Sequence, residues 1–184
     1  DKSRVKLLDE LPDGHMGFPG KLTVESTYKV NKTSVDIFIE ASTDKTTLCN
    51  FTNHSYFNLD GTKNIADHNL IVNCDQVLPV DKNGIPLTKP VSAKKLDLDF
   101  KNSRKLSYKG KPTEIDHNFC ISNVKQNLRT NAIVSAKNIS LELLSTEPGL
   151  QVYTGKGLDS GNDEGWGGFP YKEYAGIALE PQIW

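Results

Sequence analysis

Three side chains in this sequence, His54, Asp116 and Glu180, sit at expected strand ends and could exchange protons with, or grip, a polyhydroxylated molecule. His54 lies in Asn53-His54-Ser55-Tyr56-Phe57-Asn58-Leu59, where an imidazole is set among a carboxamide, a hydroxyl and two aromatic rings. Asp116 stands in Glu114-Ile115-Asp116-His117-Asn118-Phe119, and Gln151 follows Pro148-Gly149-Leu150. Glu180 ends the apolar run Ile177-Ala178-Leu179 and is followed by Pro181. Burial of such a carboxylate raises its pKa and makes it a stronger base, while neighbouring donors oppose that shift. Aromatic faces cover the C–H face of a pyranose, and amides and hydroxyls meet its OH groups. The segment around His54 therefore reads as one wall of a sugar pocket, with Asn53 and Tyr56 as contacts.

Taken singly, each residue also has a plain structural reading. His54 could be a surface or hydrogen-bonded core histidine, Asp116 a turn or strand cap, and Gln151 or Glu180 a partner in a structural hydrogen bond. His15, His68 and His117 read as structural or surface residues, and Trp166 and Phe169 as anchors of a loop. By spacing alone His54, Asp116 and His117 could ligate a metal, but no paired-histidine motif supports one.

The elements that must position these groups are strands. Leu22, Val24, Ser26, Tyr28 and Val30 alternate with Thr23, Glu25, Thr27 and Lys29. After a turn at Asn31-Lys32-Thr33 the period returns, with Val35, Ile37, Ile39 and Ala41 expected inward. Further short strands are expected at 69–74, 76–80, 118–121, 132–136, 139–145, 151–155 and 174–180, and a Gly-rich loop at 158–171. The opening up to Leu11 shows no clear period. A strand over the apolar-leaning residues 47–51 is expected to lead into His54, and strand ends are expected to carry Asp116 and Glu180. No segment shows a helical period, so the fold class is all-β, a sandwich or barrel-like stack in one domain over residues 1–184.

Totals narrow the partners. Lys and Arg number 22 against 23 Asp and Glu, with no long like-charge run, so neither nucleic acid nor a membrane is an expected partner. No apolar segment is long enough to span a bilayer. Cys49, Cys74 and Cys120 are widely spaced and make neither a disulfide framework nor a zinc pattern. They read as buried free thiols in a reducing compartment, the cytoplasm. The absence of an initiator Met and the apolar pair Ile183-Trp184 lead us to expect a piece of a longer polypeptide.

Six stretches together resemble the aldose 1-epimerase family. They are Asp13-Gly14 with Gly17-Phe18-Pro19-Gly20-Lys21-Leu22; Thr52 followed by the His54 segment; residues 81–86 with Leu98-Asp99-Phe100; Ile115-Asp116-His117-Asn118-Phe119; residues 147–155; and Ala178-Leu179-Glu180-Pro181-Gln182. The resemblance implies a large antiparallel β-sandwich of the galactose mutarotase kind, incomplete in this chain. It implies interconversion of the α and β anomers of a free aldose such as galactose or glucose, with no cofactor. It also implies His54 as general acid, Glu180 as general base, and Asp116 and Gln151 as sugar-binding groups. Members run well beyond this length at the front, where an arginine and a second histidine of the sugar site lie; Arg4, Arg104 and Arg129 fall outside the shared motifs. The 184 residues alone are thus expected to be weakly active or inactive, and the rest of the polypeptide is the expected partner. A hexose 6-phosphate epimerase and a non-catalytic sugar-binding module are the alternatives.

Overall fold

Apolar–polar alternation builds the first sheet. The computed structural model describes residues 3–87 and 89–184 and divides after Phe51 into two compact units. In the first unit β1 (Arg4–Leu11), β2 (Leu22–Val30) and β3 (Val35–Thr43) form an antiparallel meander. Tyr28 pairs with Val5 on one side and Ile37 on the other, so these three apolar side chains share a face. The opposite face carries polar side chains such as Lys6 and Glu25, joined at 2.6 Å.

Three expectations change here. The opening is a strand, paired from Arg4 with Lys29 to Leu11 with Leu22. Its period is hidden because the adjacent pair Leu7-Leu8 points to both faces. The apolar side chains of the first hairpin do not all lie inward: Val30 and Val35 are 54% and 58% exposed. No strand forms over residues 47–51.

The second unit is a sandwich. Its strands are β4 (Tyr56–Phe57), β5 (Asn69–Val72), β6 (Gln76–Val77), β7 (Val91–Ser92), β8 (Arg104–Lys105), β9 (Ser107–Tyr108), β10 (Lys111–Pro112), β11 (Asp116–Cys120), β12 (Arg129–Ala136), β13 (Ile139–Ser145), β14 (Gly149–Tyr153) and β15 (Ile177–Gln182). One sheet has the order β4-β15-β14-β11-β6-β7 and the other β13-β12-β5-β8, with β9 and β10 as a separate ribbon. Leu70, Val72 and Val134 from the smaller sheet meet Phe119, Val152 and Leu179 from the larger in one buried cluster. Residues on the two inner faces of packed sheets alternate with outward ones along each strand, and that alternation is what frees the other face of the larger sheet for chemistry. Among the described residues no helix is long and apolar enough to cross a membrane.

The thiols differ from expectation in one case: Cys74 is buried and Cys120 half-buried, but Cys49 is exposed. The Cys74 thiol donates to the Cys120 carbonyl at 3.0 Å. Burial, with Cys74 close by, pushes the Cys120 thiol up to about 12, and burial raises Cys74 as well. Since the thiolate is the reactive form, iodoacetamide at neutral pH should label Cys49 in the folded chain and reach the other two only in denaturant. Peptide mass spectrometry checks this; native labelling of Cys74 would contradict it.

Candidate active site

Register decides which side chains meet. In β14, Leu150 and Val152 point into the core, so Gln151 and Tyr153 point out of it. Antiparallel pairing sets Gln151 opposite Glu180 and Asn118, and Tyr153 opposite Asp116 and Ala178. Ala178 in turn pairs with Tyr56. Asp116, Gln151, Tyr153, Glu180 and Tyr56 therefore line one face across four adjacent strands. A slip of one residue in any of these strands would turn that strand's members of the set toward the core.

His54 reaches the same face from the turn before β4. The Asn53 side-chain oxygen accepts the Ser55 N–H at 3.1 Å, which shapes that turn. The His54 Nε2 lies 3.6 Å from the Glu180 Oε1. Its ring centroid is 5.0 Å from that of Tyr56 and 6.3 Å from that of Tyr153, and the two tyrosine rings stand 6.1 Å apart. The Gln151 amide donates to the Asp116 carboxylate at 2.6 Å, so these two are already joined across the strands.

The charges are set by burial. Glu180 is only 7% exposed, and loss of water pushes its pKa up; the nearby His54 opposes this and the Asp116 charge adds to it. Burial also raises Tyr56, helped by Tyr153, Glu180 and Asp116. An exposed imidazole beside a buried carboxylate of raised pKa is an arrangement suited to moving protons in both directions near neutral pH.

Placement in the sheet corrects two details and adds one residue. His54 precedes its strand rather than following one, and Glu180 lies inside β15 rather than at its end. Asp116 opens β11 as expected. His117 pairs with core-facing Val152 and so points away from Asp116, and the spacing-based trio of His54, Asp116 and His117 does not converge. Tyr153 is the residue that sequence reasoning missed. Its signal was available: two places after Gln151 in a period-two strand, it must share that residue's face. Its hydroxyl accepts the Gly157 N–H at 2.7 Å, which fixes the ring.

Known proteins share this arrangement of strands. A solved GalM/aldose epimerase homologue from C. elegans superposes with a TM-score of 0.87 at 27% identity, over 99% of this chain and 57% of that one. Galactose 1-epimerase from Lactobacillus acidophilus gives 0.79 at 28% identity, over 98% and 54%. Among curated proteins, galactose mutarotase of Sus scrofa is 38% identical over 94% of this chain and 52% of its own length. Aldose 1-epimerase of Haemophilus influenzae is 34% identical over 92% and 52%. The chain thus spans about half the length of the curated relatives it matches. The family description "Aldose 1-epimerase" covers residues 1–184. With the match running the whole length of the sequence and the sheets superposing on solved members, this chain belongs to the aldose 1-epimerase family.

Proposed function

We propose that a protein carrying this chain interconverts the α and β anomers of a free aldohexose such as galactose or glucose. The observation that carries the reading is the 3.6 Å approach of the His54 imidazole to the buried Glu180 carboxylate. Ring opening needs a base to take the proton of the anomeric hydroxyl and an acid to protonate the ring oxygen. Both oxygens are bonded to C1, so two groups this close can serve both at once. Glu180 takes the hydroxyl proton and His54 gives one to the ring oxygen; rotation about C1–C2 and closure with the roles reversed yields the other anomer.

The remaining groups hold the sugar. Asp116 and Gln151 offer an acceptor and an amide to hydroxyls, Asn53 lies beside His54, and Tyr56 and Tyr153 present aromatic faces to the C–H side of the ring. Within the second unit, Arg104 is bound to Asp97 and Arg129 to the Ser145 and Glu147 carbonyls and the Ser122 hydroxyl, so neither is held in reserve for a sugar phosphate. This favours an unphosphorylated substrate. Free thiols fit a reducing compartment, and we place the protein in the cytoplasm.

The test is polarimetry on freshly dissolved α-D-galactose and α-D-glucose. It is run with this chain and with a polypeptide of its relatives' length that carries it. Clear acceleration is expected from the longer protein and little or none from the 184 residues alone. Sugar binding by either with acceleration by neither would replace the enzyme with a sugar-binding module. A rate seen only with hexose 6-phosphates would move the substrate to that class.

A further inference from the structure

One buried imidazole lies outside the proposed chemistry. His68 is completely buried just before β5, and its backbone is tied on both sides, to the Ile65 carbonyl and the Leu106 N–H. Its Nε2 accepts the Leu59 N–H at 2.9 Å, while its Nδ1 has no hydrogen-bond partner. A ring nitrogen can accept only through a lone pair, so the ring must be neutral with its proton on Nδ1; the hydrogen bond assigns the tautomer.

Leu59 ends the segment that begins at Asn53. Beside it, the Asn58 amide donates to the Ala175 and Thr62 carbonyls, and its oxygen accepts the Asp60 and Gly61 N–H groups. One residue further back Phe57 pairs with Ile177, then Tyr56 with Ala178. His68 is thus a fixed post in the core, and the segment is pinned to it at one end while His54 projects from the other.

We propose that neutral His68 is the positioning residue that holds the His54 segment in register with the Glu180 carboxylate. The inference rests on the reading of His54 as the acid. Protonation would turn the acceptor into a donor facing a donor and release Leu59. The charged groups around the ring are Asp60 and Asp67, which favour the imidazolium, and Lys137, which opposes it; burial outweighs the two acids and keeps the ring neutral. Both acids have lysine partners: the Asp60 Oδ2 lies 3.9 Å from Lys137 Nζ, and Asp67 is 2.7 Å from Lys105.

The experiment compares His68→Gln, whose side-chain oxygen can reach the Leu59 N–H, with His68→Leu, which keeps bulk and has no acceptor. In the longer polypeptide, His68→Leu should lower kcat about tenfold to a hundredfold with KM less changed, as expected when a reacting group is misplaced, and His68→Gln should recover most of it. In this chain, imidazole 15N shifts should show the Nδ1–H tautomer of His68 at pH 7, with scalar coupling across the Leu59 bond. The NMR titration of His54 should change in His68→Leu and return in His68→Gln. An Nε2–H tautomer or an imidazolium overturns the proposal, even if the leucine variant fails to fold. So does a folded leucine variant with an unaltered His54 titration. If the unsubstituted protein shows no anomer interconversion, the functional reading fails, while the tautomer, the coupling and the His54 titration still decide the positioning role.

Discussion

In a polypeptide of its relatives' length that carries this chain, Glu180→Gln is expected to cut anomer interconversion by about 10²- to 10⁴-fold, the usual contribution of a positioned acid or base, with sugar binding largely retained. The same change should make the folded chain more stable at neutral pH. Burial raises the Glu180 pKa in the folded state above its ordinary 4.5. A raised carboxyl contributes stability that is fully present below its unfolded pKa and lost as pH rises through the folded one. At neutral pH the wild-type chain holds a poorly hydrated carboxylate, and glutamine removes that cost. Urea melts at pH 4 and pH 7.5 check the sign: the gain should appear at pH 7.5 and shrink at pH 4. The acid limb of the rate profile should likewise lie above the ordinary carboxylate range. Normal turnover in the variant would remove Glu180 as the base. Lower stability at pH 7.5 would mean that His54 stabilises the carboxylate by more than burial destabilises it.

The second large effect is on the scaffold. Phe119 is fully buried, pairs with Val77 on one side and Leu150 on the other, and meets the Phe100 ring edge-on at 6.5 Å. Phe119→Ala should cost about 3–5 kcal/mol, from lost transfer energy plus the cavity left between the sheets. That is a large share of the roughly 5–15 kcal/mol by which a domain is stable. Because Asp116 lies on the same strand, the face it shares with Gln151 and Glu180 should be lost with the core. Phe38→Ala supplies the contrast: its ring is 56% exposed on β3 and its loss should fall within about 0.5 kcal/mol. Denaturant midpoints measure both. A cost at Phe38 equal to that at Phe119 would show that the first sheet is covered in solution.

How much was legible in the sequence follows from which forces are local. Period two over Leu22–Val30 and Val35–Thr43 read true, because a strand's two faces are written in alternate residues. The same rule places Gln151 and Glu180 on the outward face once Leu150 and Leu179 are taken as core. It could have found Tyr153. It failed at β1, where Leu7-Leu8 breaks the alternation and pairing with β2 supplies the order instead. It could not tell that Val30 and Val35 stay exposed, since burial depends on what lies across the sheet. Residue types in their local context brought His54 and Glu180 to attention and the family resemblance gave them roles, but their separation follows only from the β4–β15 pairing. His68 looked ordinary because its partner is a backbone N–H, which no side-chain pattern announces.

The β4–β15 pairing also sets a timetable. Tyr56 must find Ala178 across nearly the whole of the second unit before His54 and Glu180 can meet. The entropy of closing so long a loop grows only as the logarithm of its length, so the finished contact is not much weakened. The search for it is another matter, since long-range pairings dominate slow folding. On a ribosome the His54 imidazole emerges early and waits, and the Glu180 carboxylate arrives with β15, after the strands β4, β6, β7, β11 and β14 of the same sheet have been made. Each newly made molecule therefore passes through an interval with these five strands made and His54 and Glu180 still apart.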